Sequence, residues 1–219
     1  MEIGADRLNK LYNIKKNIFV LGYRGRLGSK IMEIGNKDES LNMNSIKSIT
    51  TYTENANNND IIIDVSSPSG TYALIEGLLY ENKNPKVIIG TTEIEDCYEI
   101  IDKYNEKENK ALIVPNFSKG INIMKKLISE VNKYKKDWKT SMTEIHHIHK
   151  KDSPSGTAKM LSNLLDGFDS NEIVSIREGE DYGTHIIKIE KEDECIEIKH
   201  QALSRNIFAN GAIEIVKNI

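Results

Sequence analysis

The fold is decided by KNIFVLGYRGRLGSKIMEIG, residues 16–35, where a short apolar run passes through a glycine-rich turn into an amphipathic segment. The apolar run, residues 18–21, predicts a buried strand, and the apolar residues after the turn recur at helical spacing. Gly22, Gly25 and Gly28 stand at the junction, where backbone without side chains lets a pyrophosphate lie against the helix N-terminus. The stretch therefore predicts a strand, loop and helix that bind a dinucleotide; the alternative is a tight turn without a ligand.

Three further segments repeat the change from strand to loop to helix. They are DIIIDVSSPSGT (residues 60–71), KVIIGTTEIED (86–96) and KALIVPNFSKGIN (110–122). Strands that alternate with helices indicate a parallel sheet covered on both faces, and ligands bind such sheets beyond the carboxyl ends of the strands. The next helix is predicted over residues 121–138, with Ile123, Leu127, Ile128 and Val131 as its buried stripe.

Residues 36–60 carry a weaker pattern, with a strand predicted at residues 45–50 and an asparagine-rich loop after it. A dinucleotide-binding fold places an acidic residue, or an arginine for a 2′-phosphate, at the end of its second strand. Glu54 is in range only if this strand is longer than its pattern indicates. The sequence therefore does not distinguish NADH from NADPH.

The second half changes character. A strand at residues 141–145 and a helix at residues 155–165 are followed by segments of alternating apolar and polar residues, and the helix FANGAIEIVKNI closes the chain. Alternation predicts an antiparallel sheet with one face towards solvent or a partner. The predicted fold class is α/β. Residues 1–117 with 206–219 form a Rossmann-like, parallel-sheet nucleotide-binding domain, and residues 118–205 form an α+β substrate-binding and oligomerisation domain with a mainly antiparallel open sheet.

Chemistry concentrates in EIHHIHKKDSPSGTA, residues 144–158. Its first part crowds three histidines and two lysines together, and these groups donate and accept protons near neutral pH. Its second part predicts a helix start, with Asp152 or Ser153 as N-cap, Pro154 at the first helical position, and the amides of Gly156 and Thr157 open to an anion. A proton donor beside an anion site suits an enzyme that acts on an acidic small molecule.

Simpler explanations of this segment stay open: histidines on the faces of a strand, solvated lysines and an ordinary helix cap. A zinc site of His146, His147 and His149 is also open, but adjacent strand residues point to opposite faces, and Lys150 and Lys151 would repel a cation. We therefore predict no metal.

The composition excludes several classes of protein. The chain has 219 residues and a formal net charge of -3, which gives no long-range attraction to nucleic acid or anionic lipid. Cys97 and Cys195 form no CxxC motif, so a reducing compartment is expected. No apolar run approaches the roughly 20 residues of a membrane span, and no signal-peptide core is evident. We expect a cytoplasmic protein that binds neither nucleic acid nor membrane.

With these motifs in place, the chain resembles the 4-hydroxy-tetrahydrodipicolinate reductase family, also called dihydrodipicolinate reductases, of lysine and diaminopimelate biosynthesis. The motifs that carry the resemblance are GYRGRLG, DVSSPSGT, GTTE, PNFSKGIN, EIHHIHKKDSPSGTA, REGEDYGTH and SRNIFANGA. The resemblance implies hydride transfer from NADH or NADPH to a cyclic dicarboxylate, with loss of water, giving tetrahydrodipicolinate. It also implies a homotetramer assembled through the C-terminal sheet.

The resemblance assigns roles to individual residues. His146 would be the catalytic acid/base and Lys150 the proton donor, while His147 and the amides of Gly156 and Thr157 would hold the substrate carboxylates. The residues expected to contact the cofactor lie in three loops: Gly22, Tyr23, Arg24, Gly25, Arg26 and Leu27; Gly90, Thr91 and Thr92; and Val114, Pro115, Asn116 and Phe117.

Two departures from the family pattern bear on the cofactor. The chain is shorter, and the loss falls between residues 35 and 60, where the strand–helix unit that binds the adenosine ribose would lie. Glu93 stands where the family's GTTG has glycine, which implies a different loop shape or a carboxylate near the cofactor. The alternative function is a cofactor-binding regulatory protein of the same fold with little or no turnover.

Overall fold

The structure, a computed structural model, describes residues 15–106, 108 and 110–219, so the polar lead-in before residue 15 lies outside it. The chain divides into two compact units. The first holds the described residues up to Phe117 together with Phe208–Ile219, and the second holds Ser118–Ile207. Among the described helices, none is long and apolar enough to cross a bilayer.

The strands are β1 (Lys16–Leu21), β2 (Leu41–Ser45), β3 (Ile61–Asp64), β4 (Lys86–Ile89), β5 (Ala111–Ile113), β6 (Lys139–His146), β7 (Val174–Arg177), β8 (Thr184–Lys191) and β9 (Glu194–Gln201). The helices are α1 (Arg26–Gly35), α2 (Ile49–Asn55), α3 (Pro68–Tyr80), α4 (Tyr98–Asn105), α5 (Lys119–Asn132), α6 (Gly156–Ser162) and α7 (Asn206–Asn218). Short 3-10 turns cover Glu95–Cys97 and Ser170–Glu172.

The first unit is a parallel sheet with strand order β2-β1-β3-β4-β5. Its central strands are apolar on both faces. Ile62 packs into one core with Leu74 and Leu78 of α3, whereas Ile61 and Ile63 pack into a second core that includes α1 and α7. Because successive strand residues point to opposite faces, this division confirms the predicted Rossmann-like layering.

The prediction for residues 36–60 was wrong in two respects. The second strand is β2, which ends at Ser45, and the residues predicted as strand lead into α2. Ser48 caps this helix by accepting a hydrogen bond from the amide of Thr51 at 3.3 Å, which outweighs the strand preference of the threonines after it. The strand–helix unit expected to be lost is therefore present in a short form.

The second unit is a four-stranded sheet with order β7-β6-β8-β9. Strand β6 pairs antiparallel with β8, and β8 pairs antiparallel with β9. Strand β7, however, runs parallel to β6, because the chain crosses over through α6 before it returns. The prediction of a mainly antiparallel sheet is confirmed, with β7 as the exception.

Helix α5 packs on the core of the second unit through Ile121, Met124 and Ile128, all nearly fully buried. The predicted stripe was wrong for Ile123 and Leu127, which are about half exposed at 52% and 46%. The helix starts at Lys119 with Ser118 as its cap, so the buried positions follow the i, i+3, i+7 spacing from Ile121.

Candidate active site

The loops predicted to hold the cofactor follow the carboxyl ends of β1, β4 and β5, parallel strands of one sheet, as such a site requires. Gly22, directly after β1, has a left-handed backbone with φ of +84°. A Cβ atom there would lie 2.4 Å from the carbonyl oxygen of Val65 after β3. Only glycine fits, so Gly22 lets the loops after β1 and β3 pack against each other.

Gly25 and Gly28 shape the start of α1. A Cβ at Gly28 would lie 2.2 Å from the carbonyl oxygen of Gly22, so this helix can approach the loop only with glycine there. Gly25 is the N-cap of α1 and has no side chain to satisfy the amides of the first turn. Those amides and the positive end of the helix suit a pyrophosphate, so the loop fits the dinucleotide that its sequence predicts.

The side chains of this loop differ in their surroundings. Arg24 and Arg26 are exposed, and the Arg24 guanidinium lies over the ring of Tyr23 at 5.4 Å from its centre. Leu27 is partly buried and packs against the core beneath α1. The arginines are therefore free to reach a phosphate, whereas Leu27 supports the loop from below.

The loops after β4 and β5 pack against one another through a glycine. A Cβ at Gly90 would lie 2.2 Å from the ring of Phe117. Phe117 and Val114 are themselves buried in the core, while Pro115 is exposed and Asn116 is half-buried. Among the predicted cofactor residues in these loops, Val114 and Phe117 thus have side chains committed to packing.

Thr91 is buried, and Thr92 beside it is exposed. The Thr91 hydroxyl donates to the carboxylate of Asp64 at 3.1 Å and accepts from the amide of Ser66 at 3.0 Å. Asp64 is fully buried, and burial raises its pKa although Ser66 and Thr71 donate hydrogen bonds to it. Sequence reasoning missed Asp64, which joins the loops after β3 and β4.

Glu93 is exposed and has a φ of +58°. This is the left-handed region, which glycine adopts without steric cost. A glutamate adopts it at a cost in energy, because its Cβ atom comes too close to the backbone. The loop therefore keeps a backbone suited to glycine at a position that carries a carboxylate.

In the second unit, β6 delivers Glu144 and His146 to the same buried face, because they stand two residues apart on a strand. Glu144 is fully buried and His146 is 7% exposed. The Nδ1 atom of His146 contacts Glu144 Oε2, and Glu144 Oε1 accepts a hydrogen bond from Arg177 at 2.6 Å. Sequence reasoning missed both Glu144 and Arg177.

The charges of these groups follow from their surroundings. Burial would raise the pKa of Glu144, but the hydrogen bond from Arg177 and the charge of His146 hold it below its ordinary value. Burial lowers the pKa of His146, and the charges of Lys150 and Arg177 lower it further, while Glu144 opposes them. At neutral pH the pair is therefore an ionised carboxylate and a neutral imidazole.

Lys150 follows on the turn after β6, where its amide donates to the carbonyl of His147 at 3.0 Å. Its ammonium binds both carboxylate oxygens of Asp152, at 2.8 and 3.0 Å. Asp152 also accepts from the amide of Gly156 at 3.4 Å. The carboxylate of Asp152 thus occupies two donors that were predicted to bind the substrate, the ammonium of Lys150 and the amide of Gly156.

The predicted start of α6 was wrong. Its N-cap is Ser155, whose hydroxyl accepts from the amide of Ala158 at 3.1 Å, and the helix begins at Gly156. Pro154 precedes the helix instead of opening it. The predicted anion donors remain near the surface, because Gly156 is exposed and Thr157 is partly buried.

His147 follows directly after the end of β6 and has a different partner from the buried pair. Its Nε2 atom lies 3.5 Å from a terminal nitrogen of Arg205, whose guanidinium lies over the ring of Tyr182. Burial, and then the charge of Arg205, lowers the pKa of His147. Arg205 therefore joins His147 and Lys150 in a group of cationic and neutral donors.

The zinc set weighed from the sequence is not brought together around one point. His147 and His149 have ring centres 6.3 Å apart on the turn, whereas His146 is buried against Glu144. A different trio, Glu144, His146 and His185, places ligand-type atoms within 4.8 Å of one another. Arg177 already supplies the positive charge for its carboxylate, which disfavours a second cation there.

Two family models match the chain. They are dihydrodipicolinate reductase, N-terminus, over residues 39–117, and dihydrodipicolinate reductase, C-terminus, over residues 120–219. The 4-hydroxy-tetrahydrodipicolinate reductase of Thermosipho africanus is 37% identical over 203 residues, which cover 91% of this chain and 89% of the relative. The protein of the same name from Rickettsia rickettsii is 33% identical over 218 residues, covering 90% of each.

Solved structures agree in fold. Dihydrodipicolinate reductase from Paenisporosarcina sp. TG-14, solved with dipicolinate bound, aligns with a TM-score of 0.75 and 16% identity over 94% of each chain. A myo-inositol dehydrogenase from Corynebacterium glutamicum aligns with a TM-score of 0.58 and 12% identity, covering 92% of this chain and 87% of that one. These structural alignments establish a shared fold, and the family models and the sequence relatives above 30% identity establish the family. The chain belongs to the dihydrodipicolinate reductase family.

Proposed function

We propose that this chain is an NAD(P)H-dependent reductase of 4-hydroxy-tetrahydrodipicolinate in lysine and diaminopimelate biosynthesis. The observation that carries the proposal is the buried pair of Glu144 and His146 at the end of β6, followed on the next turn by Lys150, whose charge acts on the imidazole. A regulatory protein without turnover has no use for this group. The named relatives are all reductases, which also favours catalysis over regulation.

The first unit would bind the nucleotide. The first-turn amides of α1, after Gly25, would hold the pyrophosphate, with Arg24 and Arg26 as further phosphate donors. The exposed parts of the loops after β4 and β5, Thr92 and Pro115 among them, would flank the nicotinamide portion. When bound, the reduced nicotinamide supplies the hydride.

The second unit would bind the dicarboxylate and manage protons. Loss of water from the substrate gives a conjugated imine, and one hydride with one proton then gives tetrahydrodipicolinate. Lys150 would donate that proton as negative charge develops on the ring, and His146 would act as the acid/base beside it. His147 and the amides of Gly156 and Thr157 would hold the carboxylates through charge-assisted hydrogen bonds.

Replacement of Lys150 by alanine tests the assignment. We expect turnover to fall by about 100-fold or more, since general acid–base catalysis contributes about 10² to 10⁴. Nucleotide affinity, measured by quenching of protein fluorescence, should stay near wild type. Lys151→Ala is the matched control, because it removes the adjacent exposed lysine and leaves Lys150 in place. Equal losses in the two variants, or lost nucleotide binding in K150A, would show that Lys150 has been misassigned.

We also infer a cytoplasmic homotetramer assembled through the second sheet. Strand β9 lies at the edge of that sheet, and its residues are almost all exposed, including Ile196 at 46%. A long edge strand with exposed apolar residues is a ready surface for pairing with another copy. Light scattering after size exclusion should give four times the mass of one chain, and Ile196→Lys should reduce it; a monomeric wild-type protein would contradict the assembly.

A further inference from the structure

The fully buried carboxylate of Glu144 in the second unit lies with one oxygen against the imidazole of His146 and with the other on hydrogen-bond donors. Glu144 Oε2 contacts the Nδ1 atom of the imidazole. Glu144 Oε1 accepts from Arg177 at 2.6 Å and from the amide of Ser155 at 3.4 Å. A buried charge is retained only where partners compensate its lost hydration, so this carboxylate is fixed in place.

Arg177 is in turn fixed by three hydrogen bonds, one of which goes to Glu144. It is the register partner of His146 on β7, which puts both side chains on one face of the sheet. Its guanidinium also donates to the carbonyl oxygens of Ile176 at 2.8 Å and Asp152 at 2.7 Å. Arg177 therefore balances the charge of Glu144 but does not exchange a proton with it, because arginine stays protonated in proteins.

The other imidazole nitrogen faces a position without a side chain. A Cβ atom at Gly183 would lie 2.9 Å from His146 Nε2. Gly183 has a φ of +134°, a conformation that L side chains rarely adopt. With Nδ1 on the carboxylate, the lone pair of a neutral ring lies on Nε2, beside this glycine.

We propose that Glu144 is the positioning residue of His146: it holds the ring as the Nδ1–H tautomer, with the Nε2 lone pair directed to the reacting groups, while Arg177 keeps the carboxylate in place. The proposal rests on the proposed role of His146 as acid/base, and it adds a carboxylate and a cation that act only through that ring. The charged and titratable groups facing the imidazole are Glu144 on β6, Arg177 on β7, His185 on β8 and Lys150 on the following turn.

The test is the state of the His146 ring, followed by ¹⁵N–¹H correlation spectra of histidine-labelled protein prepared with EDTA and assigned with His146→Gln. In the wild type at pH 7.5 we expect a neutral ring with the proton on Nδ1. In Glu144→Gln the fixed tautomer should be lost, and the ring should titrate at lower pH because the opposing negative charge is gone. Glu144→Asp keeps the charge and should restore part of the titration.

Kinetics supply the second readout. We expect Glu144→Gln to lower kcat by about 100-fold while KM for the nucleotide stays near wild type, because general acid–base catalysis contributes at least that much. Glu144→Asp should be intermediate. Glu172→Gln, at an exposed glutamate of the 3-10 turn Ser170–Glu172, is the control for charge loss from the same unit and should behave as wild type.

The outcomes separate this proposal from the proposed function. An Nε2–H tautomer in the wild type would overturn the positioning role without any variant, so the test does not depend on Glu144→Gln folding. An unchanged ring in Glu144→Gln would also overturn it, even if activity fell. The third outcome is that the ring responds as expected but the His146→Gln variant still reduces substrate at the wild-type rate. That result would confirm that Glu144 positions the imidazole and would refute the catalytic role of His146.

Discussion

Replacement of Glu93 by glycine should stabilise the protein, although it removes a side chain and adds none. Glu93 lies in the loop after β4 with a φ of +58°. Its side chain is exposed and makes no hydrogen bond or ion pair among the described residues. The substitution therefore tests the backbone strain of the loop almost alone.

The magnitude follows from two opposing effects. An L residue in the left-handed region costs about 1–2 kcal/mol, which glycine would recover. Glycine also gives the unfolded chain more freedom, which destabilises the folded state by about 0.4–1 kcal/mol. With the middle of each range, the net gain is about 0.8 kcal/mol, or about 2–3 °C in Tm for a protein of this size.

Two comparisons isolate the cause in thermal unfolding experiments. Glu93→Ala removes the charge but keeps the strained backbone, so its Tm should not rise. Glu192→Gly relieves the same strain at a φ of +51° in the turn between β8 and β9, so it should also stabilise the protein. Nucleotide titrations on the Glu93 variants add the effect of charge: if the carboxylate weakens phosphate binding, alanine and glycine should raise the affinity equally.

The strain argument fails if Glu93→Gly unfolds at the same temperature as Glu93→Ala, or if Glu192→Gly gains nothing. In the first case the left-handed backbone at Glu93 would carry no measurable energy, and the family's glycine there would need another reason. In the second case the gain at Glu93 would come from its own loop and not from the sign of φ.

Three further outcomes are expected. Asp152→Asn should lower KM for the proposed cyclic dicarboxylate substrate about two- to five-fold in steady-state assays at low salt, because the exposed ion pair that it removes from Lys150 is worth at most about 1 kcal/mol. Burial lowers the pKa of His185 to about 3, so the unfolded chain binds a proton at a higher pH than the folded protein does. The folded state therefore loses stability as the pH falls from about 6.5 towards 3. The Tm of His185→Gln should fall less than that of the wild type between pH 7.5 and 5. Lys47 is exposed two residues beyond β2, the position at which an acidic residue would select NADH. Lys47→Asp should therefore shift the ratio of NADPH to NADH affinity about tenfold towards NADH. An unchanged ratio would show that Lys47 is not part of the ribose site.

Patterns with a short repeat predicted the fold well. The glycine turn at Gly22, the buried runs of β3 and β4 and the alternation of β8 are each encoded within a few neighbouring residues, and the structure confirms the elements that they predict. Strand β2 was misplaced because it is an edge strand of mixed composition, in which Leu41 is the one buried residue. A half-exposed edge gives little hydrophobic signal to read.

The candidate site was only partly predictable, for a related reason. His146 and Lys150 lie in one short motif, and the motif singled them out. Arg177 lies 33 residues from Glu144 in the chain, and the pairing of β6 with β7 alone brings them together. Long-range pairing of this kind leaves no periodic trace in a single sequence, so the buried carboxylate, which opens the same motif, could not be recognised as part of the site.

The position of the imidazole depends on strand register more than on any single contact. Glu144 and His146 share a face because they are two residues apart on β6, and a loop could not impose that spacing as rigidly. Arg177 lies on the same face because β7 runs parallel to β6 in a register that places Arg177 beside His146. A slip of one residue would turn the guanidinium to the other face of the sheet and leave Glu144 buried without its cation. Such a slip would break the hydrogen bond of 2.6 Å between Arg177 and Glu144. An unpaired buried carboxylate would then destabilise the fold by several kcal/mol. The same ion pair that orients the ring therefore also selects the register of the sheet that carries it.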